Sequence, residues 1–457
     1  MNARQLEKLG VPTDCVKAAI LCIQKLAQAH TRGKDIEKNI AAVAKAPADY
    51  KDDPMLGDFA KALIADKEFV RKEPIGYKVW GEIELGAQSQ MEQACAIPSA
   101  IAAAVMPDSH PGYGLPIGGV LALENAISPF CVGVDIACRM KMSVLDIPVD
   151  TITNKFNLYK EAIEGGTMFG VGQSWKPRKH HHVMDENWSI TPVTREYKDR
   201  AWDQLGTSGS GNHFVDIGIL TITEDNILPA GEYVAIMSHS GSRGTGAAVC
   251  DAYSGIAQAR LPSKYKDLGK LAWLDMDTEA GMEYFLAMQL MGNYAAANHD
   301  LIHRDVIKRL GAQVLEQIEN HHNFAWEEEH FGKKLYVHRK GATPAGKGVL
   351  GVIPGSMGSS AYVVRGLGNP DSLFSASHGA GRKMSRKAAN EKFSWQAVCG
   401  DLAKKGIIVL SAGADESPGS YKDINEVMAQ QTDLVEIIAR FDPKIVKMSG
   451  DGSKAED

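Results

Sequence analysis

From about residue 96 onward, short apolar runs alternate with glycine-rich loops, and this alternation limits the possible folds more than any other feature of the chain. The loops span Gly112–Gly119, Gly206–Gly211, Gly241–Gly246, Gly341–Gly358 and Gly379–Gly381. Apolar runs of a few residues bounded by such turns read as strands. Tyr233–Met237 and Leu335–Val337 are examples that feed straight into loops. Longer stretches with helical character lie at 276–310 and 384–405. Upstream the texture differs. Leu6, Leu9, Val11, Val16, Ala19, Ile20, Ile23 and Leu26 recur at roughly helical spacing, so residues 1–50 read as amphipathic helices. Residues 51–95 are charged and mixed, and read as a peripheral helix plus a strand. There is no internal repeat, low-complexity segment or clear linker. The expected fold is mixed α/β, of the α+β class. One large domain over 93–457 carries its glycine-rich loops around a deep cleft, and residues 1–92 form an N-terminal helical, peripheral segment. Loops on a strand scaffold are where functional side chains concentrate.

With 457 residues, 44% of them apolar, the chain can build a large core without covalent staples. Its seven cysteines are odd in number and too sparse for a disulfide scaffold. Reduced thiols in a cytoplasmic protein are the plain expectation, with one or two of them free for chemistry. No run of 18 apolar residues occurs, so no membrane span is expected. A basic start followed by an apolar run is also missing, so no secretory signal is expected. The net charge of −6 argues against a general nucleic-acid binder but not against a local basic groove. Lys176-Pro-Arg-Lys179, followed by His180, His181 and His182, is a candidate groove, although such clusters are common on solvated surfaces.

The loops carry an unusual collection of polar groups. Asp108 and His110 lie in Met106-Pro-Asp-Ser-His-Pro-Gly-Tyr-Gly114, and Asp135 and Cys138 in Gly133-Val-Asp-Ile-Ala-Cys138. Asn212 and His213 close Gly209-Ser-Gly-Asn-His213, and His239 and Arg243 lie in Ser238-His-Ser-Gly-Ser-Arg-Gly244. His322 and Asn323 follow. His338, Arg339 and Lys340 open a loop that ends in Pro354-Gly-Ser-Met-Gly358, and His378 lies in Ser377-His-Gly-Ala-Gly-Arg382. Any one of these histidines, or Cys138 alone, is most often a satisfied or inert core residue. Together, Asp, Cys and several His suit a borderline-soft divalent ion such as Mn²⁺, Zn²⁺ or Co²⁺. A thiolate can bridge two metals, and a pair of ions about 3.5–4 Å apart can clamp a transferring phosphoryl group. Gly-Ser-Gly-Asn and Pro-Gly-Ser-Met-Gly read as anion cradles, since glycine lets backbone N–H groups approach phosphate oxygens. Neither matches the P-loop pattern, which leaves kinase or ATPase chemistry unsupported. A neutral imidazole attacks phosphorus readily, so His378 is a candidate nucleophile. The residues alone point to a metal-dependent phosphoryl or nucleotidyl transferase of unspecified substrate.

These motifs, taken in order, resemble those of the RtcB family of RNA-splicing ligases from about residue 93 to 449. The resemblance implies joining of an RNA 3′-phosphate or 2′,3′-cyclic phosphate end to a 5′-hydroxyl end, with GTP and Mn²⁺, two ions per site, as cofactors. It implies a GMP adduct on His378, oriented by Asp108. Cys138, His239 and His322 would hold one metal, and Asp135, Cys138 and His213 the other. Asn212, Phe214, Asp216, Asn323, Pro354, Gly355, Ser356, Met357, Gly379, Ala380, Gly381 and Lys447 fall where the family contacts the guanylate, and Arg243 where it meets an RNA phosphate. The implied partners are RNA with broken ends, GTP and an archease-like activator. Some positions depart from the family pattern. Ala137 and Arg139 flank Cys138 where glycines are common, which sets a further charge where RNA would enter. Ala361 replaces a frequent serine, whose hydroxyl Ser360 is the nearest residue to supply, and His299 replaces a usual arginine. Two other readings fit the same residues: a different metal-dependent nucleotidyl- or phosphate-processing enzyme, or an RNA-binding homologue that has lost catalysis. Retention of Cys138, His239, His322, His378 and Lys447 speaks against the latter.

Overall fold

The structure, a computed structural model, describes residues 1–450. They fall into two compact units, one of residues 1–73 with 260–269, the other of residues 74–259 with 270 onward.

The smaller unit is helical. Its helices α1 (Ala3–Lys8), α2 (Val16–Gln28), α3 (Gly33–Lys45) and α4 (Gly57–Glu68) each bury one stripe. On α2 that stripe is Ala19, Cys22 and Leu26, and on α3 it is Ile36, Ile40 and Val43, the three- and four-residue spacing of a helix face. Phe59 and Leu63 of α4 and Leu6 of α1 complete the core. A reciprocal capping box between Asn2 and Gln5 starts α1.

The larger unit is built on strands. In chain order these are β1 (Lys78–Val79), β2 (Ala100–His110), β3 (Ile117–Leu123), β4 (Ala126–Ile127), β5 (Arg139–Leu145) and β6 (Phe214–Ile222). Next come β7 (Gly231–Ser240), β8 (Leu274–Asp275), β9 (Val314–His321), β10 (Asn323–His330), β11 (Lys333–Lys340) and β12 (Ala342–Pro344). The last are β13 (Leu350–Ile353), β14 (Ala361–Gly366), β15 (Ser375–Ser377), β16 (Ile408–Ser411) and β17 (Val435–Met448). One sheet has the order β1-β2-β3-β11-β10. The other has the order β13-β14-β17-β6-β7-β5-β9, with β16 parallel to β17. β4 pairs with β8, and β12 with β15. The expected mixed α/β architecture is therefore present.

The period of two along a strand decides what reaches the site. In the second sheet Val215, Ile217, Val234 and Ile236 face one way and pack on Tyr159 and Ile163 of helix Phe156–Gly166 and on Ile302 and Val306 of helix Glu279–Leu310. Met140, Met142, Ala235 and Met237 face the other way, in a core shared with Val363 and Phe441. His239, two residues beyond Met237, shares that second face, as do Phe214 and Asp216 on the adjacent strand β6. Helix Glu279–Leu310 is capped by Thr278 at its start and by left-handed Gly311 at its end, within the predicted 276–310. The stretch predicted at 384–405 is two helices, Arg386–Lys392 and Trp395–Lys404. Phe393 takes an extended backbone between them, with its ring packed on Gly419. Strands β7 and β11 outrun the apolar runs Tyr233–Met237 and Leu335–Val337. Their polar ends, Ser238–Ser240 and His338–Lys340, are paired in the sheets without any apolar signal.

Candidate active site

Asp135 and Cys138 sit on a turn closed by the Cys138 N–H donating to the Asp135 carbonyl (3.2 Å). The turn needs a left-handed residue, and Ala137 supplies it at φ 56°, a conformation that costs a non-glycine residue roughly 1–2 kcal/mol. From β10, the Asn323 carbonyl accepts the Ala137 N–H (2.6 Å) and the Asn323 amide donates to the Asp135 carbonyl (3.2 Å). The end of β7 delivers His239 and the end of β9 delivers His322. The Cys138 sulfur lies 3.0 Å from His239 Nε2 and 3.4 Å from His213 Nε2, and the two Nε2 atoms of His239 and His322 are 3.2 Å apart.

The chemistry of this donor set fits a bound cation. Burial pulls His239 down to about 3 and His322 well below its ordinary value, so both rings are neutral. His239 donates its Nδ1 proton to the Asn212 carbonyl (3.2 Å), which leaves a lone pair on Nε2. That lone pair faces sulfur and a second imidazole nitrogen, three donor atoms close enough to share either a proton or one cation. Cys138, His213 and His239 form the one Cys/His/Asp/Glu group of metal-binding geometry among the described residues. Burial pushes the Asp135 carboxyl up, but the hydrogen bond and charge of His213, with Arg243 beyond, more than offset this and hold it at about 2. The Ser242 N–H also donates to Asp135 (3.0 Å). By contrast, burial drives the thiols of Cys95 and Cys250 up to about 12 and Cys131 up to about 11, as expected of inert core cysteines.

His378 follows β15. Its Nδ1–H donates to Asp108 Oδ2 (2.7 Å), and that oxygen also accepts the backbone N–H of His378 (3.1 Å) and Gly379 (3.3 Å). Asp108 is fully buried, so the carboxylate is fixed and selects the tautomer with a free lone pair on Nε2. The His378 ring lies 4.8 Å from that of His322. Gly381 closes the loop at φ +73°, and a Cβ there would stand 2.1 Å from the Asp108 carbonyl oxygen.

A cavity of about 570 Å³ joins these groups. Of the residues expected at the site, all but Asp108, His213, Arg243 and Lys447 line it. Asp108 and His213 stand directly behind it, bonded to His378 and Asp135. Arg243 is buried and donates to His213 Nδ1 (3.1 Å), which places the proton of the metal-free ring on Nε2 against Asp135, and it does not line the cavity. Lys447 pairs with Val215 and shares its face of the sheet, while Val446 and Met448 line the cavity. Its ammonium lies 5.7 Å from the Phe169 ring, and burial lowers its pKa. Strand parity therefore turns Lys447 away from the nucleotide position that the resemblance implies.

Other expectations change in the same way. At Gly209 the space beside the backbone is taken by a guanidinium. At φ +91° this glycine makes room for that of Arg243, which a Cβ would meet at 2.1 Å. In the 354–358 loop, the Ser359 hydroxyl already accepts the Ser356 N–H (2.7 Å). Arg139 is buried against Glu319 and the Gly292 carbonyl, so its charge stays clear of the cavity. Ser360 donates to Asp442 (2.6 Å) and does not replace a hydroxyl lost at Ala361. His299 sits behind β7, its Nε2–H on the Ser240 carbonyl (3.1 Å) and its Nδ1 accepting from the Ser238 hydroxyl (2.6 Å). In the basic cluster, the exposed Arg178 pairs with Asp203, and the largely buried Lys179 pairs with Asp305 and lies over the Trp175 ring. Tyr113, Phe130, Glu416 and Tyr421 also line the cavity and were not singled out by spacing. Only Tyr113 carried a signal, as an aromatic between two glycines.

Known proteins give this geometry a context. A family profile described as tRNA-splicing ligase RtcB matches residues 90–191 and 179–449. An RNA-splicing ligase RtcB of Escherichia coli is 33% identical, over 81% of this chain and 97% of its own length. A tRNA-splicing ligase RtcB of Nanoarchaeum equitans is 33% identical, over 75% and 87% respectively. An RNA-splicing ligase RtcB of Mycobacterium bovis is 31% identical, over 78% and 98%. No helix among the described residues is long and apolar enough to cross a membrane.

Proposed function

The chain belongs to the tRNA-splicing ligase RtcB family of nucleic-acid ligases, and on that premise we propose that it joins RNA 3′-phosphate or 2′,3′-cyclic phosphate ends to 5′-hydroxyl ends through a GMP adduct on His378. GTP and Mn²⁺ are the cofactors of this reading, and an archease-like activator and a cytoplasmic setting belong to it. The observation that carries it is the contact between His378 Nδ1 and the buried Asp108 carboxylate, which leaves Nε2 unprotonated beside the Cys/His cluster.

In the first step His378 Nε2 attacks the α-phosphorus of GTP. A nitrogen–phosphorus bond forms, the bond to the pyrophosphate oxygen breaks, and pyrophosphate leaves. His378 keeps its Nδ1 proton, hydrogen-bonded to Asp108, whose charge stabilises the imidazolium character that develops. An RNA 3′-phosphate oxygen then attacks the same phosphorus and frees His378. Last, the 5′-hydroxyl oxygen attacks the activated 3′-phosphate and expels GMP. A cyclic end is opened to the 3′-phosphate beforehand. Cys138, His239 and His322, and Asp135, Cys138 and His213, would hold two Mn²⁺ ions, which when bound would neutralise charge on the phosphates. Asp216 accepts guanine N–H groups, while Asn212, Phe214, Asn323, Pro354–Met357 and Gly379–Gly381 surround the rest of the nucleotide.

Lys340 is the competing nucleophile. It lines the cavity, and burial lowers it to about 8, although its ammonium donates to the Tyr113 and Phe130 carbonyls. Labelled GTP with Mn²⁺ should leave an acid-labile, alkali-stable adduct on the wild type and none on His378→Ala. An adduct that persists in that variant, or maps to Lys340, refutes the histidine mechanism.

A further inference from the structure

The rim of the cavity holds an aromatic side chain that the chemistry above leaves unused. Tyr113 lines the cavity, yet its side chain is 63% exposed. An exposed aromatic on a loose loop would mean little, but this loop is pinned from both sides. The Gln90 amide brackets Gly112, donating to its carbonyl (2.5 Å) and accepting its N–H (2.9 Å). The buried Lys340 ammonium donates to the Tyr113 carbonyl and to the Phe130 carbonyl (3.1 Å). The backbone is thereby held while the ring stands in solvent. Above the ring, 4.2 Å from its centroid, lies the ammonium of exposed Lys270, which is also 5.3 Å from the Phe130 ring. A rigid aromatic face beside an exposed cation, on the edge of a cavity suited to phosphate chemistry, is how proteins grip single-stranded nucleic acid.

Resting on the proposed ligase reading, we infer that Tyr113 is a stacking platform for an RNA base next to the reacting end, with Lys270 meeting an adjoining phosphate. Stacking engages the π-face common to all four bases, so the platform fixes the position of the strand end without selecting a sequence. The reacting phosphate could not stay aligned with His378 if the neighbouring nucleotide rotated freely.

The test uses two RNAs, one with 2-aminopurine beside a 3′-phosphate and one with it beside a 5′-hydroxyl. The wild type should quench the fluorophore in at least one of them. Tyr113→Phe should keep the quenching and Tyr113→Ala should lose it. In the joining reaction Tyr113→Ala should raise KM for RNA roughly ten-fold, the size of one base–aromatic contact, with kcat little changed. Lys270→Ala should weaken RNA binding and flatten its salt dependence. The platform is refuted if Tyr113→Ala quenches and binds like the wild type. It is equally refuted if that variant loses GMP labelling in step with joining, since the loop would then be supporting His378. Failure of the ligase reading is separable, because it appears as absent GMP labelling on the wild type while the fluorescence comparison still decides the fate of Tyr113.

Discussion

Asp216 is buried on the cavity face of β6, and its Oδ1 lacks a hydrogen-bond partner among the described residues. Burial raises its pKa well above the usual carboxylate value, so without nucleotide the folded chain keeps this proton at pH values where a free aspartate has lost it. The unfolded chain releases that proton near pH 4, the ordinary aspartate value of about 3.9. Folding therefore takes up a proton at every pH between that value and the raised one. The contribution to stability is fully present below about pH 4 and falls as pH rises through the window. Asp216→Asn keeps the shape and removes the titration. The melting temperature of the nucleotide-free wild type, relative to Asp216→Asn, should decline as pH rises above the ordinary aspartate value of about 3.9 and level off once the raised value is passed. A constant difference over that range would mean that Asp216 is already ionised and paired. Guanine N–H donors reverse the bias, because they favour the carboxylate, so saturating GTP should shrink the decline.

Among the loops that carry the chemistry, the turn from His378 to Gly381 tolerates least. A methyl group at 381 would meet the backbone of Asp108 at 2.1–3.0 Å, at a φ that L-residues avoid. Gly381→Ala must therefore move either the His378 loop or the end of β2 that bears Asp108. Strain of this kind costs of order 1–3 kcal/mol, so the variant should melt a few degrees lower. It should also lose GMP labelling at least ten-fold, whereas Gly400→Ala, with open space around a helical glycine, should change neither. Labelling at the wild-type rate in Gly381→Ala would show that Asp108 need not be registered on His378. How much of these elements the chain declares in advance follows from the same geometry. Alternating strands and glycine loops were legible because a two-residue period and a loop composition are local properties. The gathering of Asp135, Cys138, His239, His322 and His378 was legible through motif resemblance, since those residues lie in contiguous motifs. What could not be read was which face of a strand a motif residue occupies once it joins the sheet. Lys447 fell to the wrong side for this reason, and register against Val215 is a property of two distant strands. Likewise nothing local reveals that Arg243, more than thirty residues on, fills the space above Gly209.

The two compact units have cores of their own. That of the smaller unit, from Leu6 to Leu63, closes on residues of α1 to α4 and their connections. The candidate metal ligands all belong to the larger unit, between Asp135 and His322. A ligand that binds only the folded form stabilises it by an amount set by its concentration relative to Kd, about 2.7 kcal/mol at 100 times Kd. Mn²⁺ at that ratio should therefore slow exchange of the most protected amides in β5, β6 and β7 by about a hundredfold, the same free energy expressed as a protection factor. Amides of α2 and α3 report opening of a different core, so their exchange should not change. Cys138→Ala should abolish the effect, since the thiolate is the atom on which both imidazoles converge. The effect should also weaken as pH falls, because the metal displaces the thiol proton. Hydrogen exchange read segment by segment, with and without Mn²⁺, separates the outcomes. Equal slowing in α2 and α3 would show that both units open together as one cooperative body. Undiminished slowing in Cys138→Ala would place the ion elsewhere than the Cys/His cluster.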